Sequence, residues 1–275
     1  MVVRFYTPHE LLQQFVNCIM IVHAELEYAS SPVICPYPPA PQNSLFFYIN
    51  DRIKVRKDGE SNFVLQPRCV VVGPQVTRVS LDINRSHKAV RVGFHPGGLF
   101  RMLGIPMSEM IDCSYDAADV FGKELRDVNA RLQEAITFDE INNVIEAFLL
   151  QKVKCLKKAL PFDAAMLELL RYNGNISVEK VASMACLSLR QFERISKERI
   201  GLPPKLFARV VRFSKAYRLK ENNPVLSWTS IAHQCGYFDQ MHFIRDFREF
   251  AGVTPTIIER DLELAPIRLQ ADLRL

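Results

Sequence analysis

The stretch IAHQCGYFDQMHFIRDFREFAGVTP, residues 231–255, decides how this chain reads. Ile231-Ala232 belongs to a short helix that Ser227 opens over Trp228–Gln234. It stops at Gly236, a residue that takes a positive φ without a Cβ clash. Asp239 then caps a second helix, Gln240–Phe250, and Thr254-Pro255 is a cap followed by proline at a first helical position. A short helix, a tight turn and a second helix carrying Gln240, His242 and Arg245 make a helix-turn-helix unit.

The unit occurs twice. Upstream, Val181-Ala182, a turn near Cys186 and a helix over Ser188–Arg199 repeat the arrangement, opened by a cap at Ser177. Phe192 lies ten residues after Ala182 and Phe243 eleven after Ala232, and Arg194 and Arg245 each sit two further along. Ser188-Leu189-Arg190-Gln191 reads as a capping box, in which hydroxyl and amide satisfy each other's orphan backbone N–H groups. Between the units, Lys205–Asn222 predicts a helix about 27 Å long at ~1.5 Å per residue. With its flanking turns it matches the ~34 Å between successive major grooves on one face of DNA.

These residues resemble the AraC/XylS family of transcription regulators. The resemblance rests on Ile231-Ala232, Gly236-Tyr237, Phe243, Arg245, Phe247, Phe250, Gly252 and Thr254-Pro255, with Arg212 and Ala216 in the connecting helix. It covers residues 160–260. Ser196 stands where the family's first unit usually has an aromatic residue, and Ile258-Glu259-Arg260 replaces its aromatic-Arg ending. The resemblance implies double-stranded DNA as partner, RNA polymerase beside it, and two recognition helices in successive grooves without dimerisation. Residues 10–150, with Val92–Gly98 and Leu103–Pro106, resemble a sensor-type domain often joined to this module. That implies a β-rich, cupin-like barrel with trailing helices and a small-molecule effector of unstated chemistry.

Side-chain chemistry assigns roles within the two units. Arg bonds bidentately to guanine and Gln to adenine, so Arg190, Gln191, Arg194, Gln240, His242 and Arg245 are the base-readout candidates. Gln191 and Asp239 have competing roles as caps, Gln191 with Ser188. Lys197 and Arg199 are phosphate candidates. Ala182, Phe192, Trp228, Ala232, Gly236, Phe243, Phe247, Gly252 and Pro255 are structural, with Leu189 and Ile195 joining the core.

Outward from this module the composition shifts. Residues 151–275 carry 21 basic and 13 acidic side chains, a net of +8, whereas residues 1–150 carry 14 and 17, a net of −3. A basic half joined to a weakly acidic one assigns the polyanion to the former. The first hundred residues predict short strands at 45–49, 63–65, 69–72, 76–83 and 89–95, separated by Asn50-Asp51, Asp58-Gly59, Gln66-Pro67, Gly73-Pro74 and Asn84–Ser86. Five prolines between Pro32 and Pro41 predict an extended edge or loop. Beyond Gly98, Leu99–Leu103, Pro106–Ile111, Ala118–Ala135 and Asp139–Leu160 predict helices. The last has an apolar stripe at 141, 144, 145, 148 and 149, broad enough for self-association as a homodimer, for domain coupling, or for packing on its own barrel.

The chain therefore divides into a regulatory domain at 1–150, a helix end and linker at 151–161, a DNA-binding domain at 162–262 and a tail at 263–275. The fold class is α+β: a β-rich domain, then an all-α domain of two units joined by a long helix. No apolar run reaches the ~18 residues of a membrane span, and no signal peptide is expected, which predicts a cytoplasmic protein. Seven cysteines without a CxxC pair fit a reducing compartment and small buried hydrophobes, Cys35 and Cys69 among them, better than catalysis. His87 and His95 lack the clustered imidazoles and carboxylate of a cupin metal site, so they read as a surface and a strand-end histidine, with no metal or cofactor. A non-catalytic regulator is the expectation. The alternative is a cupin-like enzyme or small-molecule binding protein whose helical part serves assembly, and the polar residues at 190, 191, 194 and 240 speak against it.

Overall fold

The computed structural model describes residues 1–26, 33–83, 85–265, 267–271 and 273; Pro32 and Asn84, named above, lie outside the described residues. Among them, ten strands build two sheets. The larger sheet orders β1 (Val2–Tyr6), β2 (Val16–Glu25), β9 (Ser86–Phe94), β4 (Ser44–Tyr48), β7 (Cys69–Val72) and β10 (Ser114–Asp116). The smaller orders β3 (Val33–Tyr37), β8 (Val79–Ile83), β5 (Lys54–Lys57) and β6 (Val64–Leu65). Every described pairing is antiparallel. Pro36 sits in β3 at a sheet edge, where a missing N–H leaves no ladder bond unmade.

The period-2 alternation of β9 gives the larger sheet two different faces. Val90 and Val92 join Ile19, Ile21, Leu45, Phe47 and Val71 against a layer of helices. Ala89 joins Val22, Tyr48 and Val70 on the face turned toward the smaller sheet. The helical layer comprises α1 (Gly98–Leu103), α2 (Ala117–Phe121), α3 (Glu124–Glu134) and α4 (Phe138–Lys152). The single helix expected over 118–135 is two, divided at Gly122, whose φ of 78° ends α2. The helix expected over 139–160 ends at Lys152, followed by a 3-10 turn at Val153–Cys155. Its stripe of Ile141, Val144, Ile145, Phe148 and Leu149 is buried on the larger sheet, with the Phe148 ring 6.3 Å from Phe47. That face is occupied within the chain and is not open to a second copy.

The second half is helical throughout: α5 (Pro161–Arg171), α6 (Val178–Met184), α7 (Leu189–Arg199), α8 (Pro204–Asn222), α9 (Trp228–Gln234), α10 (Gln240–Ala251) and α11 (Pro255–Leu264). They share one core in which Phe213 of α8 meets Phe247 at 5.0 Å and Phe250 at 5.3 Å. Ser196, the departure from an aromatic, is buried there because its hydroxyl donates to the Leu202 carbonyl at 2.7 Å.

The stretch beyond α11, expected to be a tail, is packed. Ala265 and Ile267 cluster with Ala24, Val33, Cys35 and Ile83 of the strands. Gln270 Nε2 donates to the Pro38 carbonyl at 2.6 Å, while Arg218 Nη1 and Asn222 Nδ2 of α8 donate to the Leu273 and Ala271 carbonyls at 2.7 and 2.9 Å. Apolar side chains at 267, 269 and 273 explain the docking, since a solvated tail would leave them in water. Other links join the halves: Arg78 pairs with Asp261 at 3.1 Å, and Val76 and Ile111 pack on the helical core.

Candidate nucleic-acid interface

Both units close their turn in the same way. The Leu187 N–H donates to the Ala182 carbonyl and the Tyr237 N–H to the Ala232 carbonyl, each at 3.0 Å. This geometry needs a left-handed residue just before the donor, supplied by Cys186 (φ 55°) in the first unit and Gly236 (φ 76°) in the second. The conformation costs an L-residue ~1–2 kcal/mol. Cys186→Gly should therefore raise stability by about 0.5–1 kcal/mol, less than that full cost because glycine gives up more chain entropy. Gly236→Ala should lower it by ~1–2 kcal/mol or more, because a Cβ there would also lie 2.6 Å from Asn175 Oδ1. Thermal unfolding reads both signs; equal losses for the two variants would contradict the shared turn.

The caps are local in origin. Ser188 Oγ accepts from the Gln191 N–H at 3.3 Å, and Gln191 Oε1 accepts from the Ser188 N–H at 3.1 Å. Gln191 is thus exposed but has its amide oxygen held by the cap. Asp239 Oδ1 accepts the His242 N–H at 2.8 Å, and that bond is the first cause of a carboxyl pKa below the usual range. The His242 ring also meets Asp239, Nδ1 to Oδ2 at 2.9 Å. At Thr254 no side-chain cap bond forms, and Pro255 begins α11 by its fixed φ alone.

On α7, Arg190, Arg194 and Lys197 are exposed, Arg194 with 71% of its side chain accessible and 3.8 Å from Glu198. On α10, Gln240, His242 and Arg245 are exposed. Arg199 is not among them, and the phosphate role expected for it is corrected. Its side chain is only 6% accessible, with Nε 2.9 Å from Asp163 Oδ1 and Nη2 2.7 Å from Asp163 Oδ2. The guanidinium carbon lies 4.8 Å from the ring centroid of Phe100. A bidentate partner on α5 and an aromatic face on α1 together draw this cation inward.

Among the structural residues, Ala182, Phe192, Ala232, Phe243 and Phe247 are buried, Gly252 is the left-handed C-cap of α10, and Pro255 opens α11. Trp228 is half-buried rather than a core residue: its ring packs 5.0 Å from Phe247 while Nε1 donates to Glu259 at the edge. Leu189, expected in the core, is 45% exposed. The second position of α10, Met241, is 69% exposed, and Phe238 before its cap is 95% exposed. Each recognition helix thus offers an apolar side chain in its first turn, suited to a thymine methyl group. A signal was available for Met241, which falls off the spacing set by the buried Phe243; Leu189 is in phase with Phe192 and is exposed because it is the first residue of α7, at the helix end.

The frame behind α10 is ionic. Arg209 of α8 donates to Asp246 Oδ1 from Nη2 at 2.7 Å and pairs with Glu249, and Asp246 Oδ2 accepts from the Tyr237 hydroxyl at 3.1 Å. Burial lowers the Arg209 pKa and its two carboxylates more than restore it. In the other half His87, expected at the surface, is buried between the sheets, and burial lowers its pKa to about 4. Cys35, Cys69 and Cys235 are buried, whereas Cys155 and Cys186 are exposed. Among the described residues no group of three or more His, Cys, Asp or Glu could hold a metal ion, and no helix is long and apolar enough to cross a membrane.

Comparison with known proteins separates the same two parts. Residues 181–260 match the family described as helix-turn-helix domain, and residues 4–116 match a domain of unknown function. The HTH-type transcriptional activator RhaS of Klebsiella pneumoniae (strain 342) is 35% identical over 117 residues, 41% of this chain and 42% of that protein. RhaS of Escherichia coli O1:K1 is 30% identical over 122 residues, 42% of this chain and 44% of that protein. The chain thus spans less than half the length of these curated relatives. Among solved structures, ToxT of Vibrio cholerae superposes with a TM-score of 0.47 at 12% identity, covering 88% of this chain and 96% of that one. The AraC-like transcriptional activator CuxR gives 0.26 at 11% identity, covering 75% and 84%.

Proposed function

We propose, from the match of residues 181–260 to a helix-turn-helix domain, that the chain is a sequence-specific, DNA-binding transcription regulator of the AraC/XylS type. One observation carries the reading. Two equivalent units present exposed Arg, Gln and His at the starts of α7 and α10, and the 19-residue α8 joins them. At ~1.5 Å per residue α8 is about 28 Å long, which suits two successive major grooves.

In this reading Arg190, Arg194, Gln240, His242 and Arg245 meet base edges, with Leu189 and Met241 beside them, and Lys197 meets phosphate. Gln191 contributes through its free amide N–H groups. The strand-rich half acts as a non-catalytic regulatory domain that takes a small-molecule effector, and RNA polymerase is the partner at the promoter. Because both units lie in one chain, a monomer suffices for two adjacent grooves, and a homodimer would have to use a face other than that of α4. The site of action is the cytoplasm.

The experiment selects genomic fragments on the purified protein, then measures affinity for the recovered operator against salt. Arg190→Ala with Arg194→Ala should leave thermal stability within about 0.5 kcal/mol. Each lost base contact should weaken operator binding by ~1–3 kcal/mol and relax preference at one base pair. A phosphate role would instead weaken all sequences together and shrink the salt slope by about one unit per residue. Unchanged operator affinity and slope would remove both arginines from the interface.

A further inference from the structure

The two sheets do not fill the space between them. A cavity of about 120 Å³ remains, walled by Met20, Val22, Phe46, Val70 and Leu81 from the strands and by Leu269 from the segment beyond α11. A cavity of ~150 Å³ takes a benzene ring, so this one accepts a body of ring size or smaller.

Arg91 lies in its wall. The residue is 2% exposed, on the cavity-facing side of β9. Its Nη2 donates to Gln42 Oε1 at 2.9 Å, a neutral amide, the neutral Tyr37 hydroxyl is its other polar neighbour in the wall, and Nε and Nη1 have no hydrogen-bond acceptor at bonding distance among the described residues. Arginine cannot shed its proton, so the charge stays and demands an anion. The one carboxylate among the lining residues, Asp112, is engaged elsewhere: Oδ1 accepts the Val76 and Thr77 N–H groups at 2.8 and 3.1 Å. His87, also lining, has an Nδ1 without a partner among the described residues and is neutral at pH 7 because burial lowers its pKa to about 4. The wall thus holds a buried cation that, among the described lining residues, meets neutral polar groups and apolar side chains but no carboxylate free to pair with it.

We propose that this cavity binds a small organic carboxylate, with its head on the Arg91 guanidinium and its apolar body between Phe46, Val70 and Leu81. Leu269 completes the wall, and its segment hangs from Arg218 and Asn222 of α8, the helix between the two DNA-binding units. An occupant therefore bears on α8 through Leu269. The regulatory consequence rests on the function proposed above, but the binding does not.

The test uses the full-length protein with propionate and butyrate, whose heavy atoms number no more than those of a benzene ring, against the uncharged 1-propanol and 1-butanol, by calorimetry and thermal shift. At least one acid should bind and raise the melting temperature, with its alcohol roughly 30-fold weaker or more, as expected for a buried charge pair. Arg91→Met should remove the preference for acid while the unliganded protein melts at the same or a higher temperature. Loss of folding in that variant would assign Arg91 a structural role and overturn the proposal. So would acids and alcohols binding alike, no response to either acid, or acid binding retained by Arg91→Met. Operator binding is measured in parallel with saturating acid. Acid binding by a protein that binds no DNA would sink the regulator reading and leave the cavity assignment standing. Operator affinity indifferent to bound acid would sever the Leu269 link alone.

Discussion

Arg199→Ala should destabilise the folded protein by about 3–5 kcal/mol, because it leaves Asp163 buried and unpaired. The residue ends α7, bonds both carboxylate oxygens of Asp163 on α5 and covers the ring of Phe100 on α1. Three elements from both halves of the chain meet at this one cation. The paired change Arg199→Met with Asp163→Leu should recover part of the loss, since apolar side chains of similar volume carry no desolvation cost. Lys197→Ala, two residues away and exposed, should stay within about 0.5 kcal/mol of wild type. Thermal unfolding of the four proteins decides the matter. An Arg199→Ala protein as stable as Lys197→Ala would show that the buried pair clamps nothing.

Phe247→Ala should cost a similar ~3–5 kcal/mol, by emptying the centre of the aromatic cluster of the second unit. Its ring stands 4.7 Å from Phe243, 5.0 Å from Phe213 and 5.0 Å from Trp228. The chain has a single tryptophan, so the emission of Trp228 reports on this unit alone. The variant should show a red-shifted Trp228 emission and an early fluorescence transition. Unshifted emission with wild-type stability would mean that the neighbouring rings collapse into the vacancy.

How far the sequence discloses these features depends on whether the cause is local. Caps and turns are local: Ser188 with Gln191, Asp239 before Gln240, and the left-handed position at Gly236 follow from a few adjacent residues, whereas at Cys186 only a turn was legible and its positive φ emerges from the structure. Strands bounded by turn signals at Asp58-Gly59 and Gly73-Pro74 were readable for the same reason. β2 was not, because Cys18–Ala24 is an almost unbroken apolar run buried on both faces, and period-2 alternation vanishes there. β1 and β10 owe their existence to pairing with β2 and β7, partners remote in sequence.

The candidate site divides in the same way. Exposure of Arg190 and Arg194 follows from helical phase against Phe192, whereas Gln240 is in phase with Phe243 and is exposed as the first residue of α10. Arg199 shares their composition, but its fate is set by Asp163, 36 residues earlier, and by Phe100 in the other half of the chain. Arg91 reads as one polar residue in a strand; only the register that sets it opposite Met20 and Phe46 turns it inward. Burial of the 265–273 segment is likewise long-range, since its apolar residues acquire a surface only once β3 and β8 are paired.

That segment also puts the making of the protein in a particular order. The cavity-lining residue before Leu269 in the chain is Ser114, so 155 residues separate the last strand contribution from the final piece of wall. At ~5–20 residues per second of synthesis, that is an interval on the order of 10–30 s. During translation the sheets can pair and the Arg91 chamber stand open on one side while the ribosome is still adding the DNA-binding helices. A ligand present in that interval meets an unroofed pocket and needs no opening of the finished fold. Loading can then be a nascent-chain event, and its rate would follow the ligand concentration at the ribosome.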